Sequence, residues 1–184
     1  VLSPGGTVTR TVYDPINRTS SSWIGTDDGG ANWDAWTPDS PRNLKKTTEN
    51  QYDGGSAGGN SNLTRSTTFA DDNTNRETNY AYDFRNRQTA ITDPTGRVTQ
   101  PTINNLGQTT KTQQYDGDPA GSGTLFSQSE SFFDNRGRTY QNKTYAVNSS
   151  GTVGNALTGK TWYDAGSNVL MSISAGAGIV FSKH

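Results

Sequence analysis

The stretch Tyr13-Asp14-Pro15-Ile16-Asn17-Arg18-Thr19 decides the fold, because its chemistry returns along the chain. An Asp at the first corner of a type I turn accepts a backbone N–H two residues on, and Pro suits the second corner because its φ is fixed. The position that follows such a turn in a hairpin needs a positive φ, which Gly tolerates freely and Asn next best. The stretch therefore predicts a hairpin turn, with an aromatic residue ending one strand and an arginine beginning the next.

The pattern recurs in register. With the aromatic position as zero, Asp stands at +1, Asn or Gly at +4 and Arg at +5. The clearest copies besides the first are Tyr82, Asp83, Asn86 and Arg87; Asp93, Gly96 and Arg97 after Thr92; and Phe133, Asp134, Gly137 and Arg138. Weaker copies are Ile103, Asn104, Gly107 and Gln108; Tyr163 and Asp164 with Ser167 and Asn168; and Asp71 with Asp72, Asn75 and Arg76. Two further copies, at Tyr52-Asp53 and Tyr115-Asp116, begin in the same way and run into longer loops.

The composition agrees with hairpins and a thin core. Hydrophobic residues make up 28% of the chain, whereas 27 Thr, 18 Ser, 17 Asn and 21 Gly together make up 45%. Thr with Tyr, Trp and Val favours strands, and Asn, Gly, Ser and Asp favour turns. Residues 7–13, 127–133 and, more weakly, 109–115 alternate like half-buried strands. A composition this poor in apolar residues also leaves disorder open, although a net charge of −1 and 18 aromatics argue against it.

We therefore predict an all-β fold of consecutive antiparallel β-hairpins; the resemblance described below implies that they form one curved or spiralling repeat sheet. Residues 1–184 are taken as a single repeat segment, with the most regular repeats at 82–115 and an inserted loop rich in Trp and Asp at 20–48. The chain lacks a starting Met and a signal peptide, and its last residues resemble a strand. These ends lead to the expectation that it is a piece of a longer polypeptide.

The recurring Tyr-Asp dipeptide, with Gly or Asn and Arg in register, resembles the RHS or YD-repeat proteins, which include teneurin ectodomains and the shell components of bacterial toxin complexes. The resemblance extends from about residue 7 to residue 172. It implies a sheet of hairpins that spirals into a hollow shell, on large secreted or cell-surface proteins, and in bacteria a container for a toxic C-terminal domain. The chain departs from the fuller family pattern, because it has neither an RHS core segment with self-cleaving aspartates nor a distinct toxin domain.

Each motif residue has a structural interpretation and a functional one. Structurally, the aromatics Tyr13, Tyr82, Phe133 and Tyr163 stack between hairpins, the Asp caps its turn, and the Arg packs on an aromatic or meets an Asp of the next repeat. Functionally, the aromatics could line a glycan surface. The structural interpretation is favoured because a turn repeated in register explains every member.

The inserted loop offers a separate ligand site. Trp23, Trp33 and Trp36 stand near several aspartates, a combination that holds a sugar in some proteins and closes a small satellite core in others. A carbohydrate-binding or adhesion module is therefore the alternative function to a scaffold.

Other chemistry has less support in the sequence. Residues 71–75 begin like a calcium loop but lack its Gly and its final Glu, so no metal or other cofactor is predicted. The single His is the last residue and Cys is absent, so no catalytic residue is assigned; a glycan-acting enzyme remains the third alternative. The balanced charge and the lack of a long apolar stretch predict neither nucleic-acid binding nor a membrane span. The expected partners are neighbouring repeats of a longer chain, together with an enclosed toxin domain or glycans.

Overall fold

The computed structural model describes residues 6–26, 43–56, 59–71, 74–176 and the backbone of 179–181, and the described part consists of β-strands joined by turns. The chain divides into two compact units, residues 1–80 and 81–184. Strands follow one another in chain order within each unit and every documented pairing is antiparallel. The all-β class and the succession of antiparallel hairpins are thereby confirmed.

The first unit contains four strands and most of a fifth. They are β1 (Val8–Tyr13), β2 (Thr19–Gly25), β3 (Lys45–Tyr52), β4 (Leu63–Phe69) and β5 (Asn75–Tyr82), whose last two residues lie beyond the unit boundary. A short 3-10 turn, Asp53–Gly55, opens the connection between β3 and β4. Val8, Trp23 and Leu44 form a small buried cluster, with Val12 packed against it.

The second unit contains eight strands. They are β6 (Gln88–Thr92), β7 (Val98–Ile103), β8 (Thr109–Tyr115), β9 (Leu125–Phe133), β10 (Thr139–Val147), β11 (Val153–Tyr163), β12 (Val169–Ile173) and β13 (Ile179–Phe181). Val98 and Leu125 are its buried hydrophobic residues among those that the structure describes. This small number of buried hydrophobic residues fits the low hydrophobic content of the chain. Much of the stability of the fold therefore comes from the pairing of neighbouring strands and from the turns.

Two local assignments differ from the sequence interpretation. The segment 20–48 is not a loop at its ends, because β2 extends to Gly25 and β3 begins at Lys45. The alternation of Ser21 and Trp23, both buried, gives β2 an inward face despite its short polar residues. The turn assigned at Asp71 is shifted by two residues, because the Ala70 N–H donates to the Thr74 carbonyl and Asn75 and Arg76 lie within β5.

In the described ranges, no helix has the length and the apolar character needed to cross a bilayer.

Candidate functional site

The turn at 134–138 shows how each motif is built. The Asp134 N–H donates to the Arg138 carbonyl at 2.9 Å, and the Gly137 N–H donates to the Asp134 carbonyl at 2.9 Å. One carboxylate oxygen of Asp134 accepts the backbone N–H groups of Arg136 and Arg138, both at 2.9 Å. The aspartate thus satisfies donors that a tight turn would otherwise leave without a partner, as its position in a type I turn predicts.

The other predicted motifs have the same arrangement. The aspartates Asp14, Asp83 and Asp93 each accept the N–H groups two and four residues on, and Asp164 accepts the N–H of Asn168. The residues at +4 have the positive φ that the turn chemistry predicts: 65° at Asn17, 59° at Asn86, 85° at Gly96, 82° at Gly107, 79° at Gly137 and 70° at Ser167.

In three motifs the arginine at +5 forms an ion pair within its own turn. The Nε atoms of Arg18, Arg87 and Arg138 donate to the second carboxylate oxygen of Asp14, Asp83 and Asp134 at 2.6, 2.8 and 2.7 Å. The sequence interpretation expected an Asp of the next repeat or an aromatic ring, and did not foresee this local pair. The Asp fixes the guanidinium in place because its two oxygens serve the backbone and the side chain separately.

The fixed guanidinium then reaches a second turn at the same end of the strands. Strands alternate in direction, so every other connection lies at one end; in the second unit these are 83–87, 104–108, 134–138 and 164–168, which we call the turn row. Arg87 Nη1 donates to the Asn104 carbonyl at 2.7 Å, and Arg138 Nη1 donates to the Asp164 carbonyl at 3.1 Å. Arginine side chains thus join 83–87 to 104–108 and 134–138 to 164–168.

Aromatic rings complete two of these junctions. The guanidinium carbon of Arg138 lies 4.6 Å from the Tyr163 ring centroid, and the Tyr163 hydroxyl donates back to the Thr139 carbonyl at 2.8 Å. The first unit repeats the arrangement between 14–18 and 53–62: Arg18 lies 4.3 Å from the Tyr52 ring centroid. Arg18 Nη1 also donates to the Asp53 carboxylate at 2.8 Å, and the Tyr52 hydroxyl donates to the Thr19 carbonyl at 3.2 Å. Here the arginine does meet the Asp of a following repeat, as expected from the sequence.

The remaining predicted residues take less uniform positions. Tyr13 is 55% exposed, whereas Tyr82 and Phe133 are half-buried. The turn at Asp93 lies at the opposite end of the strands from the turn row, where the Thr95 hydroxyl donates to Asp93 at 2.7 Å. Arg97 lies 5.5 Å from the Phe126 ring centroid.

The turn bonds hold the aspartates in their charged form. The backbone N–H of Arg18 and that of Arg138 lower the pKa values of Asp14 and Asp134, and the partner guanidinium lowers them further. The side chain of Arg87 lowers the pKa of Asp83, the side chain of Arg18 lowers that of Asp53, and the Thr95 hydroxyl lowers that of Asp93. The cause is common to all five, because each donor stabilises the carboxylate more than the neutral acid.

Sequence reasoning missed one turn of the same kind. Asn148 accepts the N–H groups of Ser150 and Thr152 at 3.1 and 2.9 Å, and Gly151 has a φ of 80°. The signal was present as Asn at +1 and Gly at +4, but the aromatic and the arginine that marked the other copies are replaced by Val147 and Thr152.

The predicted ligand site can be described only at Trp23. Trp33 and Trp36 lie outside the described residues. Trp23 is 8% exposed in the cluster with Val8 and Leu44, and its indole N–H donates to the Ser21 hydroxyl at 2.9 Å. This is the placement of a core residue, the second of the two interpretations that the sequence allowed.

Two of the cavities that the described residues form adjoin turns at this end of the strands. One of about 340 Å³ adjoins Arg18 and Tyr52 in the first unit. The other, of about 560 Å³, lies in the second unit between the turns 104–108 and 134–138. In the described ranges, no three His, Asp or Glu residues lie close enough together to hold one metal ion.

The fold and the turn row define an all-β hairpin-repeat protein, and the comparisons with known proteins add little to that class. No family model and no curated protein matches the chain. Among solved structures, TcdB2-TccC3 matches with 9% identity over 95% of this chain and a TM-score of 0.38, and the Tc holotoxin pore of Photorhabdus luminescens matches with 12% identity over 94% and 0.32. A protein of unknown function from Bacteroides fragilis matches with 12% identity over 82% of this chain and 89% of its own, at a TM-score of 0.24.

The chain covers only 10% of the length of each of the first two of these structures. Identities and TM-scores this low do not define a family or a function for the chain.

Proposed function

We propose that this chain is a non-enzymatic scaffold: a wall segment of a β-sheet shell in a large secreted or cell-surface protein of the RHS type. The observation that supports the proposal is the use of the motif arginines. Arg18, Arg87 and Arg138 each bind their own turn and the next turn at the same end of the strands. Such bonds tie one hairpin to the hairpin after it, which is what a repeat wall requires.

The chemistry of the motif supports the same proposal. Charged groups at a catalytic centre must be available to a substrate. Here Asp83 and Asp134 are engaged by backbone N–H groups and a guanidinium, and Arg87 and Arg138 are engaged by a carboxylate and a carbonyl. Aspartates and arginines that are engaged in these bonds stabilise turns. Because the motif is repeated, the chain has many equivalent contacts between turns in place of one specialised site.

In the proposed protein, further hairpins of the same kind extend the wall beyond this segment. The container role and its toxic cargo are the form that the YD-repeat resemblance implies.

The experiment that tests the proposal is the size of the native polypeptide, measured by intact mass or by blotting with an antibody against this chain. We expect a product far above the 19.8 kDa of these residues, with further turn motifs and a C-terminal domain of different composition. A product of about 20 kDa would contradict the wall proposal. A glycan titration monitored by Trp fluorescence distinguishes the alternative, because a saturable response that Trp33→Ala removes would favour a carbohydrate-binding module.

A further inference from the structure

At two junctions between successive turns, an arginine guanidinium fills the space between the turns. Between 134–138 and 164–168, the planar guanidinium of Arg138 lies over Tyr163 and donates to the carbonyl at the start of the next turn. Between 14–18 and 53–62, Arg18 lies over Tyr52 in the same way. Both guanidinium groups are mostly covered, with side chains 23% and 17% exposed. The repeat thus provides its own template for a guanidinium site.

The junction between 104–108 and 134–138 departs from this template. Gln108 stands at +5 in place of Arg and Phe133 stands at zero in place of Tyr. Gln108 Nε2 donates to the Gly137 carbonyl at 3.2 Å, and no guanidinium or ammonium lies over the Phe133 ring in the part of the chain that the structure describes. The cavity of about 560 Å³ opens at this junction, lined by Asn104, Gln108, Phe133 and Asp134.

The Phe133 ring in the lining favours a cation, because an aromatic face attracts a cation over its centre. The charged groups around it are balanced: the Asp134 carboxylate is paired with Arg138, and Glu130 lines the cavity together with Lys111. The Glu130 carboxylate also accepts the Tyr145 hydroxyl at 2.6 Å.

The surroundings indicate that the cation is carried by a polypeptide. Leu106 lines the cavity and is 80% exposed, and Phe84 on the preceding turn of the row is 91% exposed. The two turns are adjacent, since Arg87 bridges them. When a side chain of a polypeptide enters the cavity, the residues beside it in that polypeptide can contact these exposed apolar side chains. A free small cation has no neighbouring residues to make such contacts.

We propose that this cavity binds an arginine side chain presented by a partner polypeptide, which occupies the space above Phe133 that Arg138 occupies above Tyr163. The bound guanidinium stacks on the Phe133 ring, donates to the Asp134 carbonyl and lies near the Glu130 carboxylate. A lysine fits less well, because its ammonium lacks the planar fork that both internal examples use.

The test is a titration of the full chain with N-acetyl-L-argininamide, followed by amide chemical shifts in two-dimensional NMR. N-acetyl-L-citrullinamide, which has nearly the same shape and no charge, is the matched control probe. We expect saturable shifts at Gln108, Phe133 and Asp134 with a dissociation constant on the order of 1–10 mM, and binding of the citrulline probe about tenfold weaker. Equal shifts with both probes, or no shifts at this junction, would overturn the proposal.

Two variants test the template itself. Gln108→Arg places the chain's own guanidinium in the cavity, so the arginine probe should no longer bind, whereas Gln114→Arg on β8, outside the cavity lining, should leave binding unchanged. Conversely, Arg138→Gln empties the neighbouring junction and should add a second set of shifts around Tyr163. Unchanged binding in Gln108→Arg contradicts the site, and so does a well-dispersed Arg138→Gln spectrum without the second set. If Arg138→Gln is unfolded, the binding of the arginine probe to Gln108→Arg alone decides whether the proposed site exists.

Discussion

The residue at +4 of each turn fixes the path of the backbone. Asn17, Asn86 and Ser167 have positive φ although they carry a Cβ, whereas Gly96, Gly107 and Gly137 meet the same requirement without one. Asn is the side chain that tolerates this conformation best after Gly, because its short amide can bond to nearby backbone. The choice of residue at +4 is therefore a requirement of the turn.

A substitution at Asn86 tests this requirement. Asn86→Val should lower the free energy of unfolding by about 1–2 kcal/mol, because a β-branched residue is strained at a φ of 59°. Asn86→Gly is the matched control and should change stability much less. Urea denaturation of the three proteins measures the effect, and an Asn86→Val midpoint equal to that of the parent would rule out the turn requirement.

The turn aspartates predict how stability depends on pH. Hydrogen bonds from Arg87 lower the pKa of Asp83, and the backbone N–H of Arg138 lowers the pKa of Asp134, relative to unfolded values of about 3.9. A lowered folded pKa means that the stabilisation is complete above the unfolded pKa and is lost as pH falls through the folded pKa. Urea midpoints should therefore decline below about pH 4, whereas between about pH 5 and 8 the stabilisation from these groups is complete and does not change with pH.

The variant Asp134→Asn provides the control for this pH dependence. Asn104 and Asn148 show that an amide oxygen accepts the same backbone bonds, so the turn should persist without its charge. The acid-induced loss of stability should be smaller in the variant than in the parent. Identical pH profiles would mean that Asp134 does not contribute to acid unfolding.

At this scale the sequence predicted the backbone well and the side-chain partners less well. Turn chemistry is local, so Asp14, Asn17 and Pro15 could be interpreted from their spacing alone. The ion pair of Arg138 with its own Asp134 depends on a rotamer, and its bond to the Asp164 carbonyl joins residues 26 positions apart. Neither is encoded in the spacing of one motif.

At the scale of the element, β2 shows where sequence pattern was insufficient. Residues 20–25 consist of three serines, a Trp, an Ile and a Gly, and were assigned to an inserted loop that either holds a sugar or closes a small satellite core. In the structure Ser21 and Trp23 share the buried face of β2, and Ile24 is 42% exposed. The burial of Trp23 arises from contacts with Val8 and Leu44, which are distant in sequence, so the local pattern could not reveal it.

The core role of Trp23 predicts a large effect of truncation. Trp23→Ala should lower the free energy of unfolding of the first unit by about 3–5 kcal/mol, because it empties the small buried cluster. Trp162→Ala, at a tryptophan that is 39% exposed on β11, is the control and should cost markedly less. Equal losses in the two variants, measured by chemical denaturation, would show that Trp23 is not the centre of that cluster.

At the scale of the whole molecule, few buried hydrophobic side chains are available to hold many hairpins. Val8, Trp23, Leu44, Val98 and Leu125 are the buried hydrophobic residues in the described ranges. The remaining order comes from backbone ladders within hairpins and from side chains that join one turn to the next. Repeat proteins distribute stability in this way, over local units and the interfaces between neighbours.

The central claim is that successive turns at one end of the strands stabilise each other through their arginines. A double-mutant cycle on Arg138 and Tyr163 measures this coupling most directly, using Arg138→Gln, Tyr163→Leu, the double variant and the parent in urea denaturation. We predict a favourable coupling of about 0.5–1.5 kcal/mol, because the guanidinium lies 4.6 Å from the ring centroid in a largely covered site. Additive effects within about 0.3 kcal/mol would contradict the claim and show that the two turns are neighbours without mutual stabilisation.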